Sequence, residues 1–291
     1  SMSREDRRRT VSLTFDGNAP LFKACQQGLI HFVNYLLDEC GADIEQRGVY
    51  EVVEDRTRHL VTPLWCAAVS NKLEVLKSLL RHGANVNASS DTQSTPVRSA
   101  CYMTNIEVVK LLTEHGADIH KPNMNGGTCL INSVQSVELC RYLIENKVDV
   151  NAQDNSGNAA LHYAIREERM DTIRLLLQHN ADVFLKNDFG DDSFRTATLR
   201  GYPTVVSILT EHAKPSIRSQ IESHELMGTH LVDERNDIAK AMLEWRKAIV
   251  LREQHNMMLT ANDIKPPTLA YGNFVEATTL DELDEMMDSL D

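Results

Sequence analysis

The sequence contains no apolar run approaching the roughly 20 residues of a membrane-spanning helix, and no secretory signal is evident near its start. We therefore expect no membrane partner. Positive charge is also scarce, with 30 lysines and arginines against 42 acids and a formal net charge of −12. Because nucleic-acid surfaces need clustered lysine and arginine to replace phosphate counterions, we expect no nucleic-acid partner either.

Signs of catalysis and of metal binding are missing as well. The six cysteines form no Cys-x-x-Cys pair, so we interpret them as reduced thiols of a cytoplasmic protein that could also enter the nucleus. Nucleophile-elbow, Walker, zinc-protease and dinucleotide motifs are absent from any fitting context. We expect no enzymatic activity, no metal and no cofactor.

What the sequence does contain is an internal repeat. Similar segments occupy residues 62–68 (TPLWCAA) and 95–101 (TPVRSAC). Their aligned apolar residues, Leu64 and Val97, lie 33 residues apart. The series extends in both directions, with one long interval of 43 and one short interval of 31 residues, through Leu21, Leu130, Leu161 and Phe194. A second motif of the Gly-Ala-Asp type closes five units in the same register, beginning at Gly41, Gly83, Gly116, Val148 and Asn180.

Each unit has the chemistry of a helical hairpin. Thr62 can cap a first helix, and Pro63 fits its first position, where a missing N–H costs nothing. Gly83 follows a second amphipathic helix, at the place where a left-handed residue is favoured. Histidines recur near the ends of the second helices, where they favour the negative end of the helix dipole, at His82, His115, His179 and His212.

These motifs resemble the ankyrin repeat. The resemblance implies an all-α solenoid of about six repeats with β-hairpin fingers over residues 16–213, after an N-terminal tail of residues 1–15. The long interval places an insertion at residues 46–61, and insertions in solenoids map to loops on one face. The fourth repeat is two residues short around 134–136, which predicts a tightened turn between its helices.

Two further helices are expected in a cap of residues 214–256. Apolar residues recur there at helical spacing and would cover the last repeat, at Ile238, Met242, Trp245 and Ile249. Residues 257–291 are expected to form a loop followed by a short acidic amphipathic segment. Whether this segment docks on the solenoid is left open.

The C-terminal part resembles the Fem (feminization) family more specifically. The segments that carry this likeness are residues 225–229 (ELMGT), 233–237 (DERND), 242–248 (MLEWRKA) and 266–273 (PPTLAYGN). Upstream, residues 94–101 (STPVRSAC) fall where the family has STPLRAAC. The chain is therefore identified as a divergent member of that family.

The family resemblance implies a substrate receptor of cullin-RING ubiquitin ligases that binds C-terminal peptides of target proteins, as C-degrons, in a concave groove. Trp65, Arg98, Cys101 and Tyr102 would line the groove. Family members bind peptides ending in arginine through acidic residues, but Met103 stands here at one of those acidic positions. Binding to the adaptors of the cullin ligase is expected from a region beyond residue 291.

Both the acids and the groove residues have a structural alternative. Glu51, Glu54, Asp55 and Asp91 either form an anionic wall for a cationic side chain or belong to a solvated loop that contains its own arginines. Trp65 and Arg98 either contact a guest or fill an inter-repeat gap and satisfy loop carbonyls. The alternative function is a scaffold or inhibitor, unrelated to ubiquitin, that binds a folded protein partner.

Overall fold

The computed structural model describes residues 3–52, 56–235 and 237–257. Within them, short helices follow one another in pairs and a single two-stranded sheet lies between the first and second pairs. The helices are α1 Arg4–Val11, α2 Pro20–Gln27, α3 Ile30–Asp38, α4 Pro63–Val69, α5 Leu73–Arg81, α6 Pro96–Tyr102, α7 Ile106–Glu114, α8 Cys129–Asn132, α9 Val137–Glu145, α10 Ala160–Arg166, α11 Met170–Gln178, α12 Ser193–Leu199, α13 Pro203–Ala213, α14 Ile217–Arg235 and α15 Ile238–Gln254; the strands are β1 Gly48–Glu51 and β2 Arg58–Val61.

The chain divides into two compact units. The first comprises residues 1–164 and 171–181, and the second comprises residues 165–170 and 182–291. In the first unit, α4 packs between α2 and α6, and α6 packs against α8, while α5 lies between α3 and α7. First and second helices thus form two parallel layers, as expected for an ankyrin solenoid.

Capping explains where the first helices begin. The Thr62 and Thr95 hydroxyls accept hydrogen bonds from the backbone N–H groups of Trp65 and Arg98, at 3.3 and 3.4 Å. Proline occupies the first turn of both helices. Gly83 ends the second helix of its repeat with φ of +83°, a conformation that side chains with a Cβ rarely adopt.

The shortened fourth repeat differs from the expectation in where the shortening falls. Its first helix, α8, has only four residues and a turn follows at once. Ser133 holds this turn, because its hydroxyl donates to the Cys129 carbonyl and its own carbonyl accepts from the Cys140 thiol. The two missing residues therefore shorten the helix as well as the turn.

The segment before the first repeat also contains a helix. Ser3 caps α1 by accepting a hydrogen bond from the Asp6 backbone N–H at 3.1 Å. The Gln46 side chain donates to the Ser12 carbonyl at 2.8 Å and attaches the end of this segment to the repeats. The tail expected for residues 1–15 is thus helical over much of its length.

The second unit ends in a helical hairpin. Helix α14 packs on α12 and α13, and α15 packs along α14. Met227, Leu231 and Ala241 form its buried core, and Trp245 packs against them. Among the described residues, no helix combines the length and apolar character needed to cross a bilayer. The acidic segment proposed near the C-terminus lies outside the described residues.

Candidate functional site

One position in each repeat determines the character of the candidate site. It is the third residue of the first helix, occupied along the chain by Phe22, Trp65, Arg98, Ile131, His162 and Arg195. His162 and Phe22 are fully buried and Ile131 is nearly so, which makes these three core residues. Trp65 and Arg98 occupy the same position in two neighbouring repeats whose first helices, α4 and α6, pack together.

Trp65 lies beneath the inserted hairpin. Its ring meets the edge of the Tyr50 ring at a centroid distance of 5.4 Å, and the His59 ring lies at 6.5 Å. Only 6% of the residue is exposed, and its indole N–H has no acceptor among the described residues. The tryptophan therefore fills the space between the hairpin and α4, and its contact with a guest stays a prediction.

The hairpin is fixed to the first two repeats. Strand β1 pairs antiparallel with β2, with Gly48 opposite Val61 and Tyr50 opposite His59. The Val49 backbone N–H donates to the Asn18 side chain at 2.7 Å. A Cβ on Gly48 would approach the Asn18 oxygen and the Phe22 ring to within 2.6 Å, so the hairpin needs glycine for this close contact.

Arg98 is half-buried on α6. Its Nε donates to the Gly127 carbonyl and one Nη donates to the Ser94 hydroxyl, both at 2.8 Å. Burial lowers the pKa of the Arg98 guanidinium from its ordinary value. Within the described part of the chain it contacts no carboxylate, although it remains charged at any physiological pH. The result is a partly desolvated cation held by neutral oxygens.

The side chains of Tyr102 and Cys101, at the end of α6, lie in different environments. Tyr102 lies one turn beyond Arg98 and is 69% exposed, which makes its ring available to a partner. The Cys101 side chain is fully buried and forms a hydrogen bond with Cys129, which raises the pKa of the Cys129 thiol. Cys101 thus belongs to the core between α6 and α8 and does not reach the surface that Tyr102 presents.

The predicted acids do not form one described cluster. Glu51 accepts a hydrogen bond from Arg58 at 3.1 Å across the hairpin. One Asp91 oxygen lies 3.5 Å from His59 Nδ1, and the Asp91 backbone N–H donates to the Leu60 carbonyl. Glu54 and Asp55 lie outside the described residues. Whether these residues bind a peptide stays a prediction.

Three contributors to the site were not identified from the sequence. Tyr50 covers Trp65, and Ser94 and Gly127 hold Arg98. The four-residue spacing of Ser94 and Arg98 was a usable signal for that contact. The Tyr50 and Gly127 contacts depend on how the hairpin and the next finger fold back, and neither is encoded in a local pattern.

Known proteins share both the repeats and the C-terminal segments. A family profile described as ankyrin repeats in three copies matches residues 51–123 and 115–187, and a single-repeat profile matches residues 16–46. Protein fem-1 homolog A-like of Mus musculus is 30% identical over 327 aligned positions, which cover 99% of this chain and 50% of that protein. A fem-1 homolog of Drosophila melanogaster is 34% identical over 282 positions, covering 95% and 41%. The sex-determining protein fem-1 of Caenorhabditis elegans is 34% identical over 236 positions, covering 80% and 36%.

The fold and these matches define an ankyrin-repeat protein, a class that binds other proteins through its repeats. More particularly, the chain belongs to the Fem family as a divergent member. Both the ankyrin fold and the Fem resemblance predicted from the sequence are thereby confirmed. The chain spans about half the length of the curated relatives it matches.

Proposed function

We propose that this chain is the substrate-recognition module of a cullin-RING ubiquitin ligase and that it binds the C-terminal peptides of its targets. Membership of the Fem family supports the class of function. The observation that carries the proposal is the surface of helix α6, where half-buried, cationic Arg98 lies one turn from exposed Tyr102. A cation beside an exposed aromatic ring suits a short peptide with a free carboxylate.

The preferred peptide end is proposed to differ from arginine. Met103, at the position of a family acid, ends α6 and is 44% exposed, so it offers an apolar surface there. Glu51 is already engaged by Arg58. A terminal arginine would also bring its charge towards Arg98, whereas an apolar terminal side chain could pack against Tyr102 and Met103.

Binding to short peptides tests the recognition step. A library of peptides with free C-termini is expected to yield ligands whose amidated versions lose most of their affinity. Tyr102→Ala should weaken these ligands by about 1–3 kcal/mol, with the fold intact, because an exposed ring is removed. Arg141→Ala, an exposed arginine on the second helix α9, is the control and should leave affinity unchanged. Binding restricted to a folded partner would favour the scaffold alternative.

Ubiquitin transfer tests the remaining part of the proposal. A protein that contains this chain should co-purify with a cullin ligase, and it should promote ubiquitylation of a reporter that carries a selected C-terminal peptide. Adding residues after that peptide should abolish the transfer. We propose that this ubiquitin transfer takes place in the cytoplasm and the nucleus. Transfer that ignores the reporter's C-terminus would contradict the proposed role.

A further inference from the structure

The helix before the first repeat concentrates positive charge in an acidic chain. Four of the six residues at positions 4–9 are arginines, although the formal net charge of the whole chain is −12. Arg7 and Arg8 stand three and two positions before Thr10, and the apolar Val11 follows it. No other serine or threonine in the sequence has basic residues at both of these positions. Many serine/threonine kinases recognise this pattern, because carboxylates in their substrate cleft bind the two arginines.

The structure leaves this pattern accessible on α1. Thr10 is exposed, and its hydroxyl donates to the Asp6 carbonyl at 2.8 Å within the same helix. Arg8 is exposed as well, and its guanidinium forms no hydrogen bond or ion pair with any described residue. The hydroxyl that would accept a phosphoryl group and one of the two arginines are therefore available to an enzyme.

Helix α1 can also open at low cost. A kinase binds its substrate segment in an extended conformation, so the helix must unfold locally before Thr10 can react. It has eight residues, none of which is buried, and a helix of this length is marginal on its own. Arg7 contacts Glu39 at 3.9 Å, and the Ser12 carbonyl accepts a hydrogen bond from Gln46 at 2.8 Å. Such a segment belongs to the least stable part of a fold.

We propose that Thr10 is a phosphorylation site for an arginine-directed protein kinase, and that its phosphate loosens α1. The Thr10 Oγ1 attacks the γ-phosphorus of ATP, the bond to ADP breaks, and the hydroxyl proton is released. A dianionic phosphate cannot donate to the Asp6 carbonyl. It adds negative charge at the C-terminal turn, where the helix dipole is already negative, and one turn from the Asp6 carboxylate. If Arg7 turned to the phosphate, it would leave Glu39 and release one attachment of the helix.

Phosphorylation of the whole chain tests the site. The protein is incubated with MgATP and the catalytic subunit of cyclic-AMP-dependent protein kinase, and phosphopeptides are quantified by mass spectrometry. We expect the phosphate on Thr10. Thr229 is the internal control, because it is also exposed on a helix and its hydroxyl donates to the Glu225 carbonyl at 3.0 Å, but no basic residue stands two or three positions before it. It should stay unmodified.

Two arginine variants test what the kinase recognises. Arg8→Gln removes a charge that has no partner among the described residues, and it should lower kcat/KM at Thr10 by about tenfold or more. Arg9→Gln is the matched control, since Arg9 directly precedes Thr10 and lies outside the recognised pair, and it should leave the rate unchanged. In eukaryotic cells that express the chain, raising cyclic AMP should increase the phosphate on Thr10.

Hydrogen exchange tests the loosening of α1. Residues 5–12 should exchange several times faster in the phosphorylated protein than in the unmodified protein, while residues 20–38 of the first repeat keep their protection. Thr10→Val, which cannot accept a phosphoryl group, is treated in the same way and should show no change. Faster exchange confined to the phosphorylated protein supports the proposed effect.

The contrary outcomes are separable. Absence of phosphate from Thr10, in the purified reaction or in cells, overturns the site, and so does equal phosphorylation of Thr229. Phosphate on Ser12 in place of Thr10 overturns the assignment, because Ser12 has an arginine three positions before it but not two. An unchanged rate in Arg8→Gln overturns recognition through the arginines. Phosphorylated Thr10 with unchanged hydrogen exchange overturns the loosening of α1.

Discussion

At the residue scale, Trp65 shows how one side chain supports the inserted hairpin. The hairpin covers an indole ring that contacts Tyr50 and shares one buried cluster with Val61 and Phe22. Trp65→Ala would leave a cavity there, and we expect it to reduce the free energy of unfolding by about 3–5 kcal/mol. Chemical denaturation followed by circular dichroism measures this loss.

Trp65→Phe is the matched control for that substitution. It keeps an aromatic ring and removes an N–H that has no acceptor among the described residues, so its cost should stay below about 1.5 kcal/mol. Equal losses in both variants would mean that the ring does not support the hairpin. Weaker peptide binding in Trp65→Ala should therefore be compared with the loss of unfolding free energy in the same variant before it is assigned to the groove.

The sequence could identify Trp65 and Arg98 as unusual, but it could not assign their contacts. Both stand at a position where the repeat pattern expects another residue, and both residue types are common in binding sites and in cores. The deciding contacts come from Tyr50, at the far side of a hairpin, and from Gly127, in the next repeat. Such long-range contacts have no local signature.

At the scale of helices, Gly228 permits the close packing of α14 and α15. A Cβ at this position would lie 2.3 Å from the Trp245 indole nitrogen, which donates to the Glu225 carbonyl. Alanine normally favours a helix over glycine by about 1 kcal/mol. We nevertheless expect Gly228→Ala to destabilise the protein by about 1–3 kcal/mol, because the ring must move. Thermal unfolding measures this difference.

A second substitution checks the cause of that destabilisation. Trp245→Leu shortens the side chain and should itself lower stability, since it removes the ring and its hydrogen bond. In that background Gly228→Ala should become neutral or stabilising, which a double-mutant cycle would reveal as a coupling between the two positions. Additive effects of the two substitutions would contradict the proposed clash.

The ion pair between His82 and Asp38 links α5 to α3 and gives stability a pH dependence. The His82 Nε2 lies 3.0 Å from the Asp38 carboxylate, and Nδ1 contacts the Ser78 carbonyl. The hydrogen bond with Asp38, followed by that with Ser78, raises the pKa of His82 from 6.5. The folded state therefore binds the proton more tightly, so this stabilisation is complete below pH 6.5 and is lost as pH rises through the folded-state pKa.

Asp38→Asn isolates this contribution. We expect the unfolding free energy of the wild-type protein to fall as the pH rises above about 6.5, and the variant to lose most of this dependence. His115 provides a comparison through His115→Gln: its Nδ1 contacts the Leu111 carbonyl at the equivalent helix end, and it forms no ion pair with a carboxylate of any described residue. A wild-type dependence that survives in Asp38→Asn would place its origin elsewhere.

The elements themselves were largely predictable because the repeat imposes its own period. Caps such as Thr62 and helix ends such as Gly83 fall where the motifs predict them. The short helix α8 was not predicted, because a two-residue deletion can be absorbed by a turn or by a helix, and the Ser133 contacts decide between them. The strands β1 and β2 were hidden inside an insertion with no repeat to align.

At the scale of the whole molecule, stability in a repeat protein is the sum of contacts between neighbouring repeats. The six cysteines are all free and buried, and they lie in the first four repeats of this chain. Burial raises the pKa of Cys66 and of Cys140 to about 12 and that of Cys25 further. Because the thiolate is the reactive form, native cysteines should react only when their repeat opens.

We therefore expect a thiol reagent at neutral pH to label none of the six in the native protein. With increasing denaturant, Cys25 and Cys40 should react first, because the first repeat has a neighbouring repeat on one side only. Cys101 and Cys129, which pack together between interior repeats, should react last. Mass spectrometry of labelled peptides resolves this order. As a control, Tyr102→Cys supplies an exposed thiol that should react at once. If Cys101 were labelled before Cys25, contacts between neighbouring repeats would not determine the stability of each repeat.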